Sequence, residues 1–382
     1  MKSILLSNKT DKDSILKKIG VTKEGISFLK DKMELRFVYI KDLKTPAALI
    51  LKQDALSIGA DLAVHKNTIL NNQETTDALL IATDKELKIL SKKEKIQPFG
   101  LKEIADELGI FANLQKRDKV EVMGVINAND DSFFEGSRFV GEKAFEQILK
   151  MADDGANIID IGGVSSRPGS DAVSEEEELS RVKPIIDKIY EERLYDDITF
   201  SLDSYSPLCL RYAFDRGFKI ANDITGLQND EVAKIVAKYN ATVVIMHMKG
   251  TPKDMQKDPV YKDVMLEVDE FFAKRVQKAK NFGIKDIVLD VGIGFGKTLG
   301  HNLTLIKHLE HFKHFGYPLL VGASRKSLID MIKPTPTKER LPGTLALHLE
   351  SVKNGASIIR CHDVKEHIQA FKVQKALDGA IL

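Results

Sequence analysis

The chain has 382 residues, 43% of them hydrophobic and 30% charged, with a formal net charge of +1. That balance fits a globular protein of two or three domains, or one large domain with an extension, and excludes a disordered chain. It leaves no bulk field to draw the protein to nucleic acid or to an anionic membrane, so an anionic substrate must meet a local cluster of cations. No apolar run approaches a spanning length, and the opening MKSILLSNKTDKDS makes a poor signal peptide. Cys209 and Cys361 stand in no metal or redox spacing, so a cytoplasmic protein with reduced core thiols is expected.

Up to about residue 115 the chain is Lys-rich. Residues 47–57 have helical apolar spacing, with Gly59 as a stop signal. Residues 79–82 (LLIA) predict a buried strand and 87–90 (LKIL) a piece of helix. Residues 101–108 predict another helix, ended by Gly109. The polar stretch 113–119 reads as a connection, so the expected division is a small α/β extension over 1–116 and a second domain over 117–382.

From residue 120 a rhythm sets in. Short apolar, β-branched runs at 120–126, 158–161, 198–202, 218–221, 242–246, 287–289, 318–321 and 358–359 are mostly continuous rather than alternating. That pattern suits strands buried on both faces of a parallel sheet. Helical patterns follow at 142–151, 175–190, 208–215, 230–238, 264–279, 303–311, 345–352 and 365–377. Eight such units predict an α/β (β/α)8 TIM barrel, whose chemistry sits at the C-terminal ends of the strands. Those ends carry Asn127, Asp160, Asp203, Asn222, His247, Asp290, Ser324 with Arg325 and Lys326, and Arg360 with His362. Any one of them could be a helix cap or turn former, but the whole series points to a site.

Arg360 and His362 are two residues apart and should face the same way, with Cys361 facing the other. With the loop after strand seven they suggest an anion site, since an Arg fork grips phosphate oxygens in pairs. Arg325 and Lys326 precede a helix, where the dipole disfavours cations, which hints at an anionic ligand. Asp203, Asn222 and Asp290 form an acid and amide set suited to a flat heterocycle with N–H donors, and Met246, Met248 and Phe295 could sandwich it. The loop from Asn127 offers metal-ligand oxygens and a lid, and the loop 160–169 a substrate cover. Residues 292–298 look like a nucleotide loop but lack the spacing of a P-loop.

Taken in order, MGVINANDDSF, IDIGGVSSRPGS, DSY, NDITG, MHMKGTPKDMQ, LDVGIGFGKT, GASRKS and RCHDVKE resemble the signature segments of the dihydropteroate synthases, over residues 120–377. The resemblance implies a (β/α)8 barrel, usually homodimeric. Its reaction joins 6-hydroxymethyl-7,8-dihydropterin diphosphate to 4-aminobenzoate with Mg2+, and sulfonamides compete for the aminobenzoate site. It also implies roles. Asn127 would hold Mg2+ and diphosphate, and Arg167, Arg360 and His362 would bind the diphosphate. Asp203, Asn222, Met246, Asp290 and Lys326 would bind the pterin. Phe133, Ser166, Pro168, Phe295, Ser324 and Arg325 would surround the aminobenzoate. Asp131 would belong to the lid. The family's usual Thr-Pro is replaced here by Asn129-Asp130, and its usual Glu by Val164. Two other readings share the pterin pocket: a methyltetrahydrofolate-dependent corrinoid methyltransferase and a non-catalytic pterin-binding paralogue.

Overall fold

The structure is a computed structural model that describes residues 3–380, apart from 9, 71, 116–118, 129–141, 165–172 and 252. Two compact units emerge. One comprises the chain up to Gln115 together with residues from Lys375 onward, and the other runs Lys116–Gln374.

The first unit contains α1 (Lys12–Ile19), α2 (Lys23–Lys30), β1 (Leu35–Lys44), α3 (Thr45–Leu56), β2 (Asp61–Val64), β3 (Thr75–Thr83), α4 (Asp84–Lys93) and α5 (Leu101–Phe111). Its antiparallel sheet has the order β1-β3-β2. Leu51, Leu62, Leu80, Leu87, Leu90, Leu101 and Leu108 fill a core of its own. The helix of 47–57, the strand of 79–82 and the helix of 101–108 all appear, each somewhat longer than its apolar run. Gly109 does not end its helix: it lies inside α5, where a Cβ would sit 3.5 Å from Cβ of Ser91. A side chain there would make only ordinary contact with α4, so neither a stop nor tight packing accounts for the glycine. The sheet's first strand, β1, escaped the sequence reading because its buried positions are few, and a bulge between Ile40 and Leu43 breaks the alternation.

The second unit alternates strand and helix: β4 (Glu121–Asn127), α6 (Glu142–Asp153), β5 (Ile158–Gly162), α7 (Glu175–Glu191), β6 (Thr199–Asp203), α8 (Pro207–Phe214), β7 (Ile220–Asp223), α9 (Asp230–Tyr239), β8 (Thr242–Met246), α10 (Val264–Asn281), β9 (Ile287–Asp290), α11 (Leu299–Lys307), β10 (Leu319–Val321), α12 (Ser327–Ile332), α13 (Leu341–Lys353), β11 (Ile358–Cys361) and α14 (Val364–Asp378). The eight strands close in parallel, β11 pairing with β4. The apolar run at 303–311 divides between the end of α11 and a 3-10 segment, Leu309–Phe315. The short α12 is the helix expected directly after Arg325 and Lys326. Among the described residues no helix is long and apolar enough to cross a membrane.

Two apolar layers result from the strand alternation. Outward residues such as Val122, Ile126, Ile159, Ile161, Phe200 and Leu202 join the helices in one large core. Inward residues Met123, Ile158, Ile220, Val244, Val288, Leu320 and Ile358 fill the lower barrel interior as a separate cluster. A packed interior of branched side chains closes the barrel to through-passage and leaves chemistry to its upper end.

Candidate active site

Two residues beyond that inner layer, the same inward register carries Val125, Asp160, Asn222, Met246, Asp290, Gly322 and Arg360, because side chains on one face of a strand recur every second residue. Asp203 enters the same level through its pairing with Asn222 and Gly162. Asp160, Asp203, Asn222, Asp290 and Arg360 of the strand-end series therefore form one ring stacked directly on an apolar floor.

Arg360 ties the ring together. Its Nε donates to Asp160 Oδ2 and its Nη2 to Asp203 Oδ2, each at 2.6 Å. Asn222 Nδ2 donates to the same Asp160 oxygen at 2.9 Å. Burial works against the guanidinium charge, but Asp160 and Asp203 outweigh it and hold the group protonated. Burial also pushes Asp203 up to about 7, against the pull of Arg360. The cationic and acidic groups expected as two subsites are thus one network. Asp160, which the sequence marked only as a strand end, is its fully buried hub. The inward register of β5 was the signal that could have assigned it.

The loop after β10 meets the end of β11. Ser324 Oγ lies 2.9 Å from His362 Nδ1 and accepts the His362 backbone N–H at 3.3 Å. In the tautomer where the hydroxyl proton points to Nδ1, the ring proton sits on Nε2. Burial, with Arg360 nearby, lowers His362 to about 4, so the ring is neutral at ordinary pH. Arg325 is placed differently from the expectation. Its fork grips Asp363 at 2.7 and 3.0 Å, and its Nη1 donates to the carbonyls of Thr337 and Lys338. Lys326 has its Nζ 4.4 Å from the centre of the Phe295 ring and bonds the Ile293 carbonyl. Burial lowers Lys326 to about 8, against the pull of Asp290. An acid, carbonyls and a ring therefore offset the two cations before α12, so the dipole argument for an anion there does not stand.

Two buried imidazoles brace this loop from behind. Ala323 N–H donates to His348 Nε2 at 2.9 Å, His348 Nδ1 lies 2.8 Å from His367 Nε2, and His367 Nδ1 lies 2.6 Å from the Asp363 carbonyl. The backbone donor at one end and the carbonyl at the other fix both tautomers, and each ring must stay neutral. Burial, with His367 alongside, holds His348 well below the usual histidine value of 6.5. A depressed folded-state pKa stabilises the fold fully above that value, and the contribution is lost as pH falls. The stability gap between wild type and His348→Gln should therefore narrow from about pH 7.5 to about pH 5.5, by up to about 1.4 kcal/mol per pH unit. Urea denaturation at both pH values measures it, and a constant gap would contradict the neutral relay.

The loop after β9 turns on three glycines of positive φ: Gly292 (67°), Gly294 (83°) and Gly296 (60°). Asp290 Oδ1 accepts Gly292 N–H at 2.8 Å, and burial raises the Asp290 pKa. Lys297 Nζ is buried and donates to the carbonyls of His247, Gly292 and Phe295 at 2.9–3.1 Å. It is a loop brace, which agrees with rejecting a P-loop. A Cβ on Gly292 would strike the His247 carbonyl, whereas Gly283, also at positive φ, has nothing within 4 Å. Gly292→Ala should therefore lower the melting temperature clearly more than Gly283→Ala, where only the backbone cost of about 1–2 kcal/mol applies. Equal losses would show that the close approach is unimportant.

Asn127 ends β4 half-buried beside Gly162 and Asp203: a Cβ on Gly162 would lie 3.7 Å from both Asn127 Oδ1 and Asp203 Oδ2. Met246 is buried at the end of β8, and Phe295 is half-buried. Cys361 faces outward into the helix-facing core. Asp131, Phe133, Ser166, Arg167 and Pro168, with Asn129 and Asp130, lie outside the described residues.

Residues 123–362 match the family of pterin binding enzymes. A bifunctional dihydropteroate synthase/dihydropteroate reductase of Helicobacter pylori is 41% identical over 367 residues, covering 95% of this chain and 96% of the relative. The dihydropteroate synthase of Escherichia coli is 40% identical over 258 residues, 67% of this chain and 90% of the relative. Among solved structures, Yersinia pestis dihydropteroate synthase with a sulfonamide drug complex superposes with a TM-score of 0.65 at 36% identity, covering 70% of this chain and 97% of that one. Xanthomonas albilineans dihydropteroate synthase with 4-aminobenzoic acid gives 0.63 at 35% identity, covering 69% and 95%. These names favour the synthase over the corrinoid methyltransferase reading. By sequence and by fold, then, this chain belongs to the pterin binding enzymes, among the dihydropteroate synthases of folate biosynthesis.

Proposed function

We propose that the barrel mouth joins 6-hydroxymethyl-7,8-dihydropterin diphosphate to 4-aminobenzoate around the Arg360 network. The observation that carries this division of roles is one guanidinium, at the end of β11, bridging two carboxylates of the acid and amide ring. On the ring side, Asp203, Asn222 and Asp290 offer acceptors and an amide to the pterin edge, with Met246 and Lys326 beside it.

The bond between the pterin methylene and the diphosphate oxygen breaks, and its electron pair leaves with the oxygen. The growing negative charge is met by donors fixed in advance. Arg360 uses Nε and one Nη2 proton for its carboxylates, which leaves Nη1 for a phosphate oxygen. His362 Nε2–H supplies another donor. The arylamine nitrogen forms the new C–N bond and gives up a proton, so no covalent enzyme intermediate is required. Ser324 and Phe295 border the aminobenzoate, while Arg325 acts through Asp363 as a positioning residue. Asp131, Phe133, Ser166, Arg167 and Pro168 complete the reading through the family resemblance.

The amide oxygen of Asn127 is the kind of neutral oxygen ligand a hard cation accepts, with its other ligands taken from phosphate and water. Mg2+ held at Asn127 would neutralise charge on the leaving diphosphate. The reading extends to sulfonamide competition for the aminobenzoate position, and to a cytoplasmic homodimer. Incubation with both substrates and Mg2+ should yield dihydropteroate and diphosphate. Arg360→Ala should lower kcat/KM by about 10²–10³, whereas Arg216→Ala, whose partner Asp187 lies on α7, should stay near wild type. Saturable pterin binding without turnover would instead support the non-catalytic paralogue.

A second reading is favoured by the Helicobacter pylori relative, whose match includes the N-terminal unit. This chain would also reduce its own product, adding a hydride and a proton across a C=N bond of dihydropteroate. The hydride must come from a nicotinamide or flavin donor. Tetrahydropteroate formed from dihydropteroate, the full chain and such donors would establish it. Oxidation of no donor would exclude it.

A further inference from the structure

The 3-10 segment Leu309–Phe315 carries two histidines three residues apart, His311 and His314. In a 3-10 helix, residues i and i+3 eclipse, so both imidazoles leave the same edge. That edge faces α10, and Asp269 of α10 reaches between them. Asp269 Oδ1 lies 2.5 Å from His314 Nε2 and 3.2 Å from His311 Nε2. The three donor atoms lie within 4.8 Å of one another, and all three side chains are between 20% and 29% exposed.

Behind them stands an aromatic floor. Phe272, three residues after Asp269 on α10, packs edge-on against Phe312 and Phe315, and the His314 ring lies 4.0 Å from that of Phe315. The rings are therefore held by packing on one side and open to solvent on the other. This lies on the helical layer, apart from the strand-end ring.

We propose that Asp269, His311 and His314 form a three-ligand site for a borderline divalent transition metal, with zinc the most suitable, that clips the 3-10 segment to α10. Two imidazoles and one carboxylate make a poor site for Mg2+, which prefers oxygen, and a good one for zinc, cobalt or nickel. Zinc accepts three protein ligands with water in the fourth position, although closed structural sites more often have four protein ligands. Ligand atoms about 2.0–2.1 Å from a tetrahedral ion stand roughly 3.3 Å apart. The His311 pair already has that spacing, and the His314 pair must open by somewhat under about 1 Å, within reach of a small side-chain rotation. Metal binding would displace any proton that now mediates the Asp–His contacts. The open position would hold water. The role is structural, because no substrate-handling group lies among the three ligands.

The test uses the tag-free full chain, freed of metal by chelation. Calorimetry with Zn2+ and the visible spectrum of added Co2+ should show one saturable site whose filling raises the melting temperature. Asp269→Asn, His311→Gln and His314→Gln should each weaken binding by about tenfold or more and remove the Co2+ bands, while dihydropteroate synthesis without added zinc stays near wild type. That unchanged synthesis shows that the variants fold. No saturable binding by the wild type, or binding and a Co2+ spectrum unaffected by all three substitutions, overturns the site.

Discussion

The site depends on a buried charge cluster that the fold does not need for stability. Removing two carboxylates and a guanidinium from water costs several kcal/mol per ion, and mutual attraction at best offsets it. An apolar layer continuing Ile158, Ile220 and Val288 upward would be as stable or more so. Arg360, Asp160 and Asp203 therefore make sense only as polarity held ready for a ligand. Their geometry also explains why Arg360 cannot be removed cleanly, since its loss would leave Asp160 buried with an uncompensated charge.

That cluster is legible in the sequence up to a point. The eight apolar runs and their polar ends follow from strands buried on both faces, and the two-residue spacing placed Arg360 and His362 on one side of their strand. What the sequence could not show is which charge meets which. Asp160 and Arg360 are 200 positions apart, and only closure of the barrel brings them together. Arg325 illustrates the same limit. It sits next to Lys326 in sequence, yet its positive φ of 55° and the partner Asp363 turn it away from its neighbour's surroundings. Spacing is silent on such turns. The His348–His367 relay escaped notice for a related reason, because buried histidines on two helices carry no local pattern.

Local rules also failed where one residue type has two uses. Gly109 ends nothing and lies inside α5 where a side chain would fit, whereas Gly292 serves a turn of positive φ beneath the His247 carbonyl. Lys297 resembles a phosphate-loop lysine by its neighbours and acts as a brace through three carbonyls. In each case the side chain's three-dimensional partner, rather than its sequence context, decides its role.

The charges at the mouth bear on what the site must bind. Arg360 and Lys326 are set against Asp160, Asp203 and Asp290, and His362 is neutral at ordinary pH. The described ring is therefore slightly acidic, the more so as Asp203 ionises near pH 7. A diphosphate ester entering such a ring alone would be repelled. On this reasoning the proposed anionic substrate calls for positive charge beyond that of the described ring. Its carboxylates and amide match the N–H donors of the proposed heterocycle better than they match the phosphates, so heterocycle and anion make opposite demands on one small ring.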